Sequence, residues 1–326
     1  MFKALVLDQA DKITTSSIQE LDVSRLPQGD VLIDVDYSSL NYKDGLAITG
    51  KGKICREFPM VPGIDLTGTV AESSDSRFTT GQKVVLTGWG VGETHWGGMA
   101  QKARLKADWL VPLPEKLSGD QAMKIGTAGL TAMLCVQALQ DAGITPEKGE
   151  ILVTGASGGV GSVAVTLLSE LGYQVVAVTG RSSENGDWLK SLGASRVVER
   201  SEFEEPARPL EKQIWAGAVD TVGSKMLAKV LAQVDYDGAV AACGLAGGFD
   251  LPTTVMPFIL RGVKLLGVDS VYAPFERRQK AWQRISEILP ASYYDNGCRE
   301  ISLEEVPEAA EAITNGQITG RVVIKL

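Results

Sequence analysis

The sequence predicts an α/β protein in which an N-terminal β-barrel domain is followed by a doubly wound parallel sheet. The chain has 326 residues, which is near the usual length for two domains. Roughly the first 120 residues read as short strands bounded by glycine and proline. After Gly119 strands alternate with amphipathic helices, and this pattern is typical of βαβ units in a parallel sheet.

The first domain is predicted from the strands KALVLD, DVLIDVDYSSLN, LTGTVAES, QKVVLTG and WLVPLP. Apolar and polar residues alternate in VLIDVDY, which indicates a strand with one buried face. The last strand, RVVIKL, has no further βα partner, so we expect it to return to the first domain. The predicted β-barrel domain is therefore residues 1–124 and 299–326, and the predicted parallel-sheet domain is residues 125–298.

The second domain is predicted to begin with a helix over DQAMKIGTAGLTAMLCVQALQDAG, where apolar residues recur at three- and four-residue spacing. Its strands are predicted at ILVTG, QVVAVTG, RVVER, GAVDTVG, GAVAACG and VKLLGVDS. Its helices are predicted at VGSVAVTLLSELG and NGDWLKSLGA, and another helix at LEEVPEAAEAITNG precedes the last strand of the chain.

Composition and charge narrow the functional class. A formal net charge of −8 argues against a nucleic-acid partner, and we expect neither a membrane span nor a secretory signal in the opening MFKALVLDQADK. The 4 cysteines lie far apart and show no metal spacing, which favours reduced thiols in a cytoplasmic enzyme. His95 is the single histidine, so a catalytic triad based on histidine or a site with several histidine ligands is nearly excluded.

A glycine-rich segment between a strand and a helix gives the strongest local signal. In ILVTGASGGVGSVAVTLLSELG the glycines at 155, 158, 159 and 161 permit a tight turn, close approach to a pyrophosphate and close packing of the helix on the strand. The N-terminus of the helix then favours phosphate binding. The alternative is a glycine loop without a ligand. The position between strand and helix favours a dinucleotide-binding Rossmann domain.

The end of the second strand distinguishes between the two nicotinamide cofactors. An NAD enzyme usually places an acid there to bind the ribose 2′-hydroxyl, whereas this strand ends Val178-Thr179-Gly180-Arg181 and the next acid is Glu184. The fork of Arg181 suits a 2′-phosphate, although a solvated loop residue is the alternative. Arg200 could supply a second guanidinium or stack on the adenine. The sequence therefore predicts NADPH rather than NADH.

Several motifs in order resemble one branch of a known superfamily. They are SSLNYKDGLAITGKG, PGIDLTGTV, GWGVGETHWGGMAQKARL, VTGASGGVGS and VTGR. Over its full length the chain resembles the medium-chain dehydrogenases/reductases, and within them the zinc-independent acryloyl-CoA reductase branch, also labelled as quinone oxidoreductases. The resemblance implies a GroES-like β-barrel domain, a Rossmann domain and a homodimer that pairs through VKLLGVDS.

The same resemblance implies that no catalytic metal is present. Zinc alcohol dehydrogenases carry a ligating cysteine and histidine where this chain has Asn41 and Ile64. A site without a thiolate and an imidazole lacks the donors that zinc binds tightly. The closely spaced cysteines of the structural zinc site are also absent. We therefore expect hydride transfer to an activated carbon–carbon double bond or to a quinone, rather than alcohol oxidation.

Tyr42 and Asn41 are the candidate catalytic residues, because the resemblance places them at the former zinc site. Tyr42 could donate a proton, orient the cofactor or only pack against its neighbours. Lys43 and Asp44 fit a structural ion pair or solvated charges better than catalytic groups. His95 is more simply a loop residue than an acid, and it stays a minor candidate.

The resemblance also implies contacts to the cofactor. Ser157, Gly158, Gly159 and Val160 would line the pyrophosphate, and Thr179, Gly180 and Arg181 the adenosine phosphate, with Tyr42 at the reacting end. The remaining implied positions, for which ordinary turn or core residues are the alternative, are Leu245, Ile259, Ser270 and Asn315. Cations at the mouth of the cleft would meet the phosphates of CoA, and the available ones are Lys51, Lys53, Arg56, Arg277 and Arg278.

The sequence thus leads to one main functional hypothesis and two alternatives. The main hypothesis is the NADPH-dependent reduction of acryloyl-CoA to propanoyl-CoA by hydride transfer to the β carbon. The first alternative is a quinone or general enone reductase on the same scaffold. The second is a protein that binds NADPH as a sensor or structural component and has no activity.

Overall fold

The structure is a computed structural model that describes all 326 residues. The strands are β1 (Phe2–Ala10), β2 (Ile13–Leu21), β3 (Val31–Leu40), β4 (Asp65–Ser73), β5 (Lys83–Thr87), β6 (Lys102–Leu105), β7 (Val111–Pro112), β8 (Ile151–Val153), β9 (Val175–Thr179), β10 (Ala194–Glu199), β11 (Trp215–Asp220), β12 (Val234–Ala242), β13 (Lys264–Gly267), β14 (Cys298–Ser302) and β15 (Arg321–Lys325). The helices are α1 (Tyr42–Thr49), α2 (Gly119–Asp141), α3 (Gly159–Glu170), α4 (Ser182–Ser191), α5 (Ser224–Gln233), α6 (Met256–Arg261), α7 (Phe275–Ile288), α8 (Ala291–Asn296) and α9 (Val306–Thr314).

The chain forms two compact units. The first unit comprises residues 1–127, 270–286 and 294–326, and the second comprises residues 128–269 and 287–293. The chief difference from the boundaries predicted above concerns one segment: the prediction gave residues 270–286 to the parallel-sheet domain, whereas in the structure they pack in the first unit.

Arg278 explains where that segment lies. Its side chain is 1% exposed, and its guanidinium donates to the backbone carbonyls of Thr87 at 2.6 Å and Ser270 at 3.0 Å. A guanidinium buried this deeply has to find such acceptors. Burial of this kind cannot be recognised from an arginine in a charged helical stretch, and this residue does not supply an exposed cation at the mouth of a cleft.

The sheet of the first unit is built around β3. Its strand order is β14-β15-β3-β4-β5-β7, and β6 pairs with the first half of β3 while β15 pairs with the second half. The strands β1 and β2 form a separate antiparallel hairpin. Asp11 and Lys12 connect them with φ values of 50° and 66°, as a primed hairpin turn requires. The chain returns to the first unit through β14 and β15.

The second unit contains a six-stranded parallel sheet in the order β10-β9-β8-β11-β12-β13. The order reverses between β8 and β11, which is the switch point of a doubly wound sheet, where ligands bind at the carboxyl ends of the strands. The strand β9, VVAVT, is buried along its whole length, as expected for a parallel strand covered on both faces. The predicted Rossmann fold is confirmed.

Helix α2, with 23 residues, is the longest helix. It is long and apolar enough to cross a membrane by length and composition alone, but 83% of its apolar window is buried inside the protein. This burial identifies it as a core helix. Gly126 interrupts its regular geometry with φ 53° and ψ −159°, so the helix is kinked there.

Candidate active site

The glycine-rich turn of the second unit joins β8 to α3, and three of its glycines have distinct roles. Gly155 has φ 60°, which favours glycine. A Cβ at Gly161 would lie 2.3 Å from the carbonyl oxygen of Gly155, so only glycine lets the helix approach the turn. Gly158 is the N-cap of α3 and has no side chain to occupy that position itself. The N-terminal amides of α3 are left for a ligand, and an anion is the favoured one.

Two hydroxyls connect this turn to the end of β9. Ser157 Oγ and Thr179 Oγ1 lie 3.1 Å apart within hydrogen-bonding distance, and the backbone N–H of Arg181 donates to the same Thr179 oxygen at 3.2 Å. The predicted pyrophosphate and adenosine-phosphate residues are therefore neighbours at the carboxyl edge of the sheet. Gly159 and Val160 open α3 beside them and are half-buried.

Two arginines stand at the end of β9. A Cβ on Gly180 would lie 3.0 Å from the central carbon of the Arg200 guanidinium, so this guanidinium lies directly over that glycine. Arg181 follows as the residue before α4. Their acidic neighbours are distant for ion pairs, with Arg181 3.9 Å from Glu184 and Arg200 3.9 Å from Glu204. The arrangement fits a dianionic phosphate such as the 2′-phosphate of NADP.

In the first unit, the candidate catalytic residues Asn41 and Tyr42 lie at the start of α1. Asn41 is the N-cap residue, and its backbone N–H donates to Asp44 Oδ2 at 2.9 Å in a capping box. Tyr42 is the first residue of the helix and is 44% exposed, whereas Asn41 is only 8% exposed. The two candidate catalytic residues are therefore adjacent but differently placed, since only the tyrosine presents its side chain outward.

The buried Asn41 amide belongs to a polar network. Its Nδ2 donates to Asp65 Oδ2 at 2.8 Å, and its Oδ1 accepts from Arg321 Nη1 at 3.0 Å. Arg321 Nη2 donates to Ser39 Oγ at 2.9 Å, and that hydroxyl donates to Asp65 Oδ2 at 2.6 Å. Asp65 and Arg321 are 0% and 3% exposed and form an ion pair at 3.8 Å. Asp65, Arg321 and Ser39 were not predicted as site residues.

Asp44 joins α1 to the loop before β4. Its Oδ1 accepts from the backbone N–H groups of Gly63 at 3.2 Å and Ile64 at 3.0 Å. Gly63 has φ 105°, and its backbone lies against Met99, so no side chain fits there. Burial, together with the nearby Asp65 carboxylate, raises the pKa of Asp44 to about 7.

The residues present do not fit a zinc ion. The side chains available at this point are an amide, two carboxylates and a hydroxyl, and a guanidinium already lies among them. Tetrahedral zinc is held by thiolates and imidazoles supported by carboxylates, and a resident cation would repel it. The chain contains no group of three or more histidine, cysteine, aspartate or glutamate side chains arranged to hold a metal ion.

Lys43 and His95, from the same part of the chain, are used structurally. Lys43 Nζ forms an ion pair at 2.8 Å with Glu93 rather than with Asp44. His95 Nε2 lies 2.8 Å from the carbonyl oxygen of Arg104, and its ring packs edge-on against Trp109. Burial lowers the pKa of His95, which disfavours the imidazolium form that an acid would need.

Of the four remaining positions predicted to contact the cofactor, two lie in the first unit and two in the second. Ser270 is buried in the first unit, and Asn315 caps the C-terminus of α9, where its Oδ1 accepts from Lys51 Nζ at 3.3 Å. Leu245 and Ile259 lie in the second unit and are 65% and 70% exposed. Their roles toward a cofactor stay predictions.

A glycine turn at the switch point of a Rossmann sheet and a separate β unit define a two-domain dehydrogenase. Residues 27–115 match the alcohol dehydrogenase GroES-like domain, and residues 159–287 match the zinc-binding dehydrogenase family. The chain belongs to the medium-chain dehydrogenase/reductase superfamily, as the sequence motifs predicted. The superfamily and the GroES-like and Rossmann folds are thus confirmed.

Individual proteins within this superfamily are similar to the chain over nearly its full length. The chain is 66% identical to the "Probable acrylyl-CoA reductase AcuI" of Escherichia coli, over 99% of both chains. It is 54% identical to the acrylyl-CoA reductase AcuI of Ruegeria pomeroyi, also over 99% of both. Among solved structures, the YhdH oxidoreductase of Salmonella enterica in complex with NADP is 63% identical, with a TM-score of 0.98 over 99% of each chain.

Proposed function

We propose that this protein reduces the carbon–carbon double bond of acryloyl-CoA to give propanoyl-CoA, with NADPH as the reductant. The observation that carries the proposal is the pair of arginines at the end of β9 beside the glycine turn. Arg181 and Arg200 supply charge for a 2′-phosphate, and the turn supplies amides for a pyrophosphate. Full-length relatives, one named as an acrylyl-CoA reductase and one as a probable acrylyl-CoA reductase, support the substrate class.

The cofactor would be held mainly by the second unit. The amides around Gly158 and Gly159 would bind the pyrophosphate, Ser157 and Thr179 would bind nearby oxygens, and Arg181 with Arg200 would bind the adenosine phosphate. When bound, NADPH supplies the hydride. The remaining predicted contacts at the reacting end are those of Tyr42, Leu245, Ile259, Ser270 and Asn315.

In the reaction the β carbon of the thioester receives the hydride, and the electron pair of the double bond moves toward the thioester oxygen. The α carbon then takes a proton, so that one hydride and one proton are added across the bond. The developing negative charge needs preorganised hydrogen-bond donors. The hydroxyl of Tyr42, a residue that is 44% exposed, is one candidate donor, and its alternative role is to anchor the cofactor. Asn41 has its amide engaged inward, so we assign it to positioning Tyr42.

The distribution of exposed cations favours a CoA thioester. Lys53 and Arg56 follow α1 closely, are exposed and take part in no ion pair. Lys51 is engaged with Glu311 at 2.7 Å. We propose that Lys53 and Arg56 contact CoA phosphates. If so, Arg56→Glu should raise the KM for acryloyl-CoA and leave the KM for a small enone unchanged.

We propose a homodimer through the open edge of the second unit's sheet. The strand β13 has no neighbour on its outer side, and strand edges of this kind tend to pair. The segment around it exposes large apolar side chains, namely Leu245, Phe249, Val255, Ile259, Leu260 and Leu265. Exposed apolar surface of this kind marks an interaction site. Sedimentation of the wild type and of Leu265→Lys tests the proposal, since the variant should be monomeric.

The proposed location is the cytoplasm, where NADPH is available and the four cysteines, none of them in a disulfide, would stay reduced. A panel of enoyl-CoAs, quinones and enones, with NADPH oxidation followed, tests the substrate class. Preference for acryloyl-CoA in kcat/KM supports the proposal. Preference for quinones or enones would replace it with the alternative activity. Tight NADPH binding without turnover on any substrate would indicate a binding protein.

Tyr42→Phe tests the role of the hydroxyl. If the hydroxyl acts mainly in the transition state, kcat and kcat/KM should fall alike by about a hundredfold while the Kd for NADPH stays constant. If it anchors the cofactor, which we favour because water can protonate an enolate, the Kd should rise with a smaller loss at saturation. Wild-type values of both would remove Tyr42 from either role.

A further inference from the structure

The buried network of Asn41 joins four separate segments of the first unit. Ser39 and Asn41 lie at the junction of β3 and α1, Asp65 begins β4 and Arg321 begins β15. Arg321 also donates from Nε to the carbonyl oxygen of Lys124 in α2 at 3.2 Å. The guanidinium carried by β15 therefore bonds directly to the β3–α1 junction and to α2, and it reaches β4 through an ion pair with Asp65.

The orientation of the Asn41 amide depends on this guanidinium. Its Oδ1 has Arg321 as a donor, and its Nδ2 has Asp65 at 2.8 Å and Asp44 at 3.3 Å as acceptors. Reversing the amide would place the NH₂ group against the guanidinium and the oxygen against two carboxyl groups. A donor on one side and acceptors on the other thus fix one orientation of the amide.

The backbone of α2 is shaped around the same group. A Cβ at Gly126 would lie 2.5 Å from Arg321 Nη2 and 2.6 Å from Asp65 Oδ2. The kink at this glycine makes room for the ion pair, and it lets the N–H of the next residue, Thr127, donate to Asp65 at 2.9 Å. The ion pair is therefore embedded in the fold from several sides and is not an incidental contact.

We infer that Arg321 is a positioning residue that takes the role of a metal ion at this site. Its cation holds the Asn41 amide between strands β3, β4 and β15, and Asn41 caps the helix on which Tyr42 is the first residue. The charge fits this role, because a buried cation beside Asp65 and the Asn41 amide oxygen compensates the carboxylate and satisfies acceptors that would otherwise be left without a partner. The inference rests on the proposed function of Tyr42.

The test is a double-mutant cycle between Arg321→Lys and Tyr42→Phe. Lysine keeps the charge but cannot bond to Asn41, Ser39 and Lys124 at once, because it lacks the guanidinium fork. In the wild-type background we expect Arg321→Lys to change kcat, or the Kd for NADPH, by about tenfold. In the Tyr42→Phe background we expect less than about a threefold change, because the hydroxyl that Arg321 positions is already absent.

The matched control is Arg278→Lys, which alters the other deeply buried arginine of the first unit. Arg278 bonds to carbonyls around Thr87 and Ser270 and has no contact with Asn41. It should lower the melting temperature and change rates by the same factor with or without the Tyr42 hydroxyl. A purely structural role for Arg321 would produce this same pattern.

Equal changes by Arg321→Lys in both backgrounds, in both kcat and Kd, would overturn the inference. If Arg321→Lys does not fold, Ser39→Ala replaces it in the cycle, since it removes the acceptor of Arg321 Nη2 together with the hydroxyl that donates to Asp65. The proposed function fails separately, if the wild type does not reduce acryloyl-CoA. The cycle then uses another substrate of the panel, or NADPH affinity alone, and still decides the role of Arg321.

Discussion

The two units build their candidate sites in opposite ways. In the second unit, the backbone of one continuous turn and two arginines form the site, with Gly155, Gly158 and Gly161 shaping the turn. In the first unit, the site consists of side chains from distant parts of the chain, with Asn41 and Arg321 separated by 280 positions. The site of the second unit can therefore be recognised from a local sequence motif, whereas the site of the first unit forms only when the chain folds.

The two candidate sites also differ in the interactions that stabilise them. The glycine turn exposes amides and leaves its charge to be supplied by a ligand. The network of the first unit is complete without a ligand, because Asp65 and Arg321 are buried and mutually compensated. We therefore expect the site of the first unit to depend on ion pairing inside the fold. The site of the second unit should depend on steric room for the turn and on surface charge.

The largest effect should come from removing the buried cation. Arg321→Met leaves Asp65 buried without its counter-charge, which should cost about 3–5 kcal/mol in the free energy of unfolding. Urea denaturation measures it. Lys83→Met is the control, because Lys83 pairs with Asp36 at 2.7 Å while 54% exposed, and its loss should cost less than about 1 kcal/mol. Similar losses in both variants would contradict a special role for burial.

The sequence predicted the second unit in much greater detail than the first. ILVTGASGGVGS carries strand, turn and helix in one stretch, and the order of strands and helices follows from apolar periodicity. In the first unit, β2 reads ITTSSIQEL, whose few apolar residues give no strand signal, and its pairing with β1 supplies the structure.

The network in the first unit had only a faint signal in the sequence. Arg321 is followed by the apolar run VVI in β15, and Asp65 opens β4 after Ile64 and before Leu66; a charge between such apolar residues is out of place unless it is paired. Pairing these two positions needs the register of β15 on β3, and that register is set by tertiary contacts. The burial of Arg278 could not be predicted either, because it also depends on tertiary contacts, namely those with the carbonyls of Thr87 and Ser270.

A second prediction concerns pH and the buried Asp44. Its folded pKa of about 7 lies above the ordinary value of 3.8, so the folded protein holds a proton that the unfolded chain releases. The free energy of unfolding should therefore fall as pH rises from about 4 to about 7 and should level off above that. Asp44→Asn should remove this slope, although it also lowers stability at every pH because one of the two carboxyl oxygens becomes an NH₂ group, which cannot accept from the N–H groups of Asn41 or of Gly63 and Ile64.

Unfolding at a series of pH values measures the slope for the wild type and for the variant. Equal slopes would show that Asp44 does not titrate in this range. Asp220 is the corresponding buried carboxyl of the second unit. Its pKa is also raised, and burial is the only cause that raises it, whereas hydrogen bonds from Thr154 and the Gly223 amide partly lower it. Asp44 differs because a second carboxyl, Asp65, adds to its shift.

A third prediction tests the steric basis of the glycine turn. Gly161→Ala would force a Cβ to within 2.3 Å of the Gly155 carbonyl oxygen, so α3 must move. Overpacking of this kind should cost about 2–3 kcal/mol and weaken NADPH binding. Gly186→Ala in α4 is the matched control, because a Cβ there meets nothing within 4 Å and alanine favours the helix. The control should be neutral or slightly stabilising.

The smallest effect, and the most selective, should come from Arg181→Ala. The Arg181 side chain lies at the end of β9 and its ion pair with Glu184 is long, at 3.9 Å, so we expect the free energy of unfolding to change by less than about 1 kcal/mol. One charge-assisted contact to the 2′-phosphate should be lost, which is worth about 1.5–3 kcal/mol, or roughly ten- to a hundredfold in the Kd for NADPH. NADH has no 2′-phosphate, so its Kd should hardly change. Fluorescence titration with both cofactors measures the ratio. Arg196→Ala serves as control, since Arg196 lies in β10 and pairs at 2.8 Å with Glu150, the residue before β8. Equal losses for NADPH and NADH would show that Arg181 does not bind the phosphate, and would leave Arg200 as the cation that selects the cofactor.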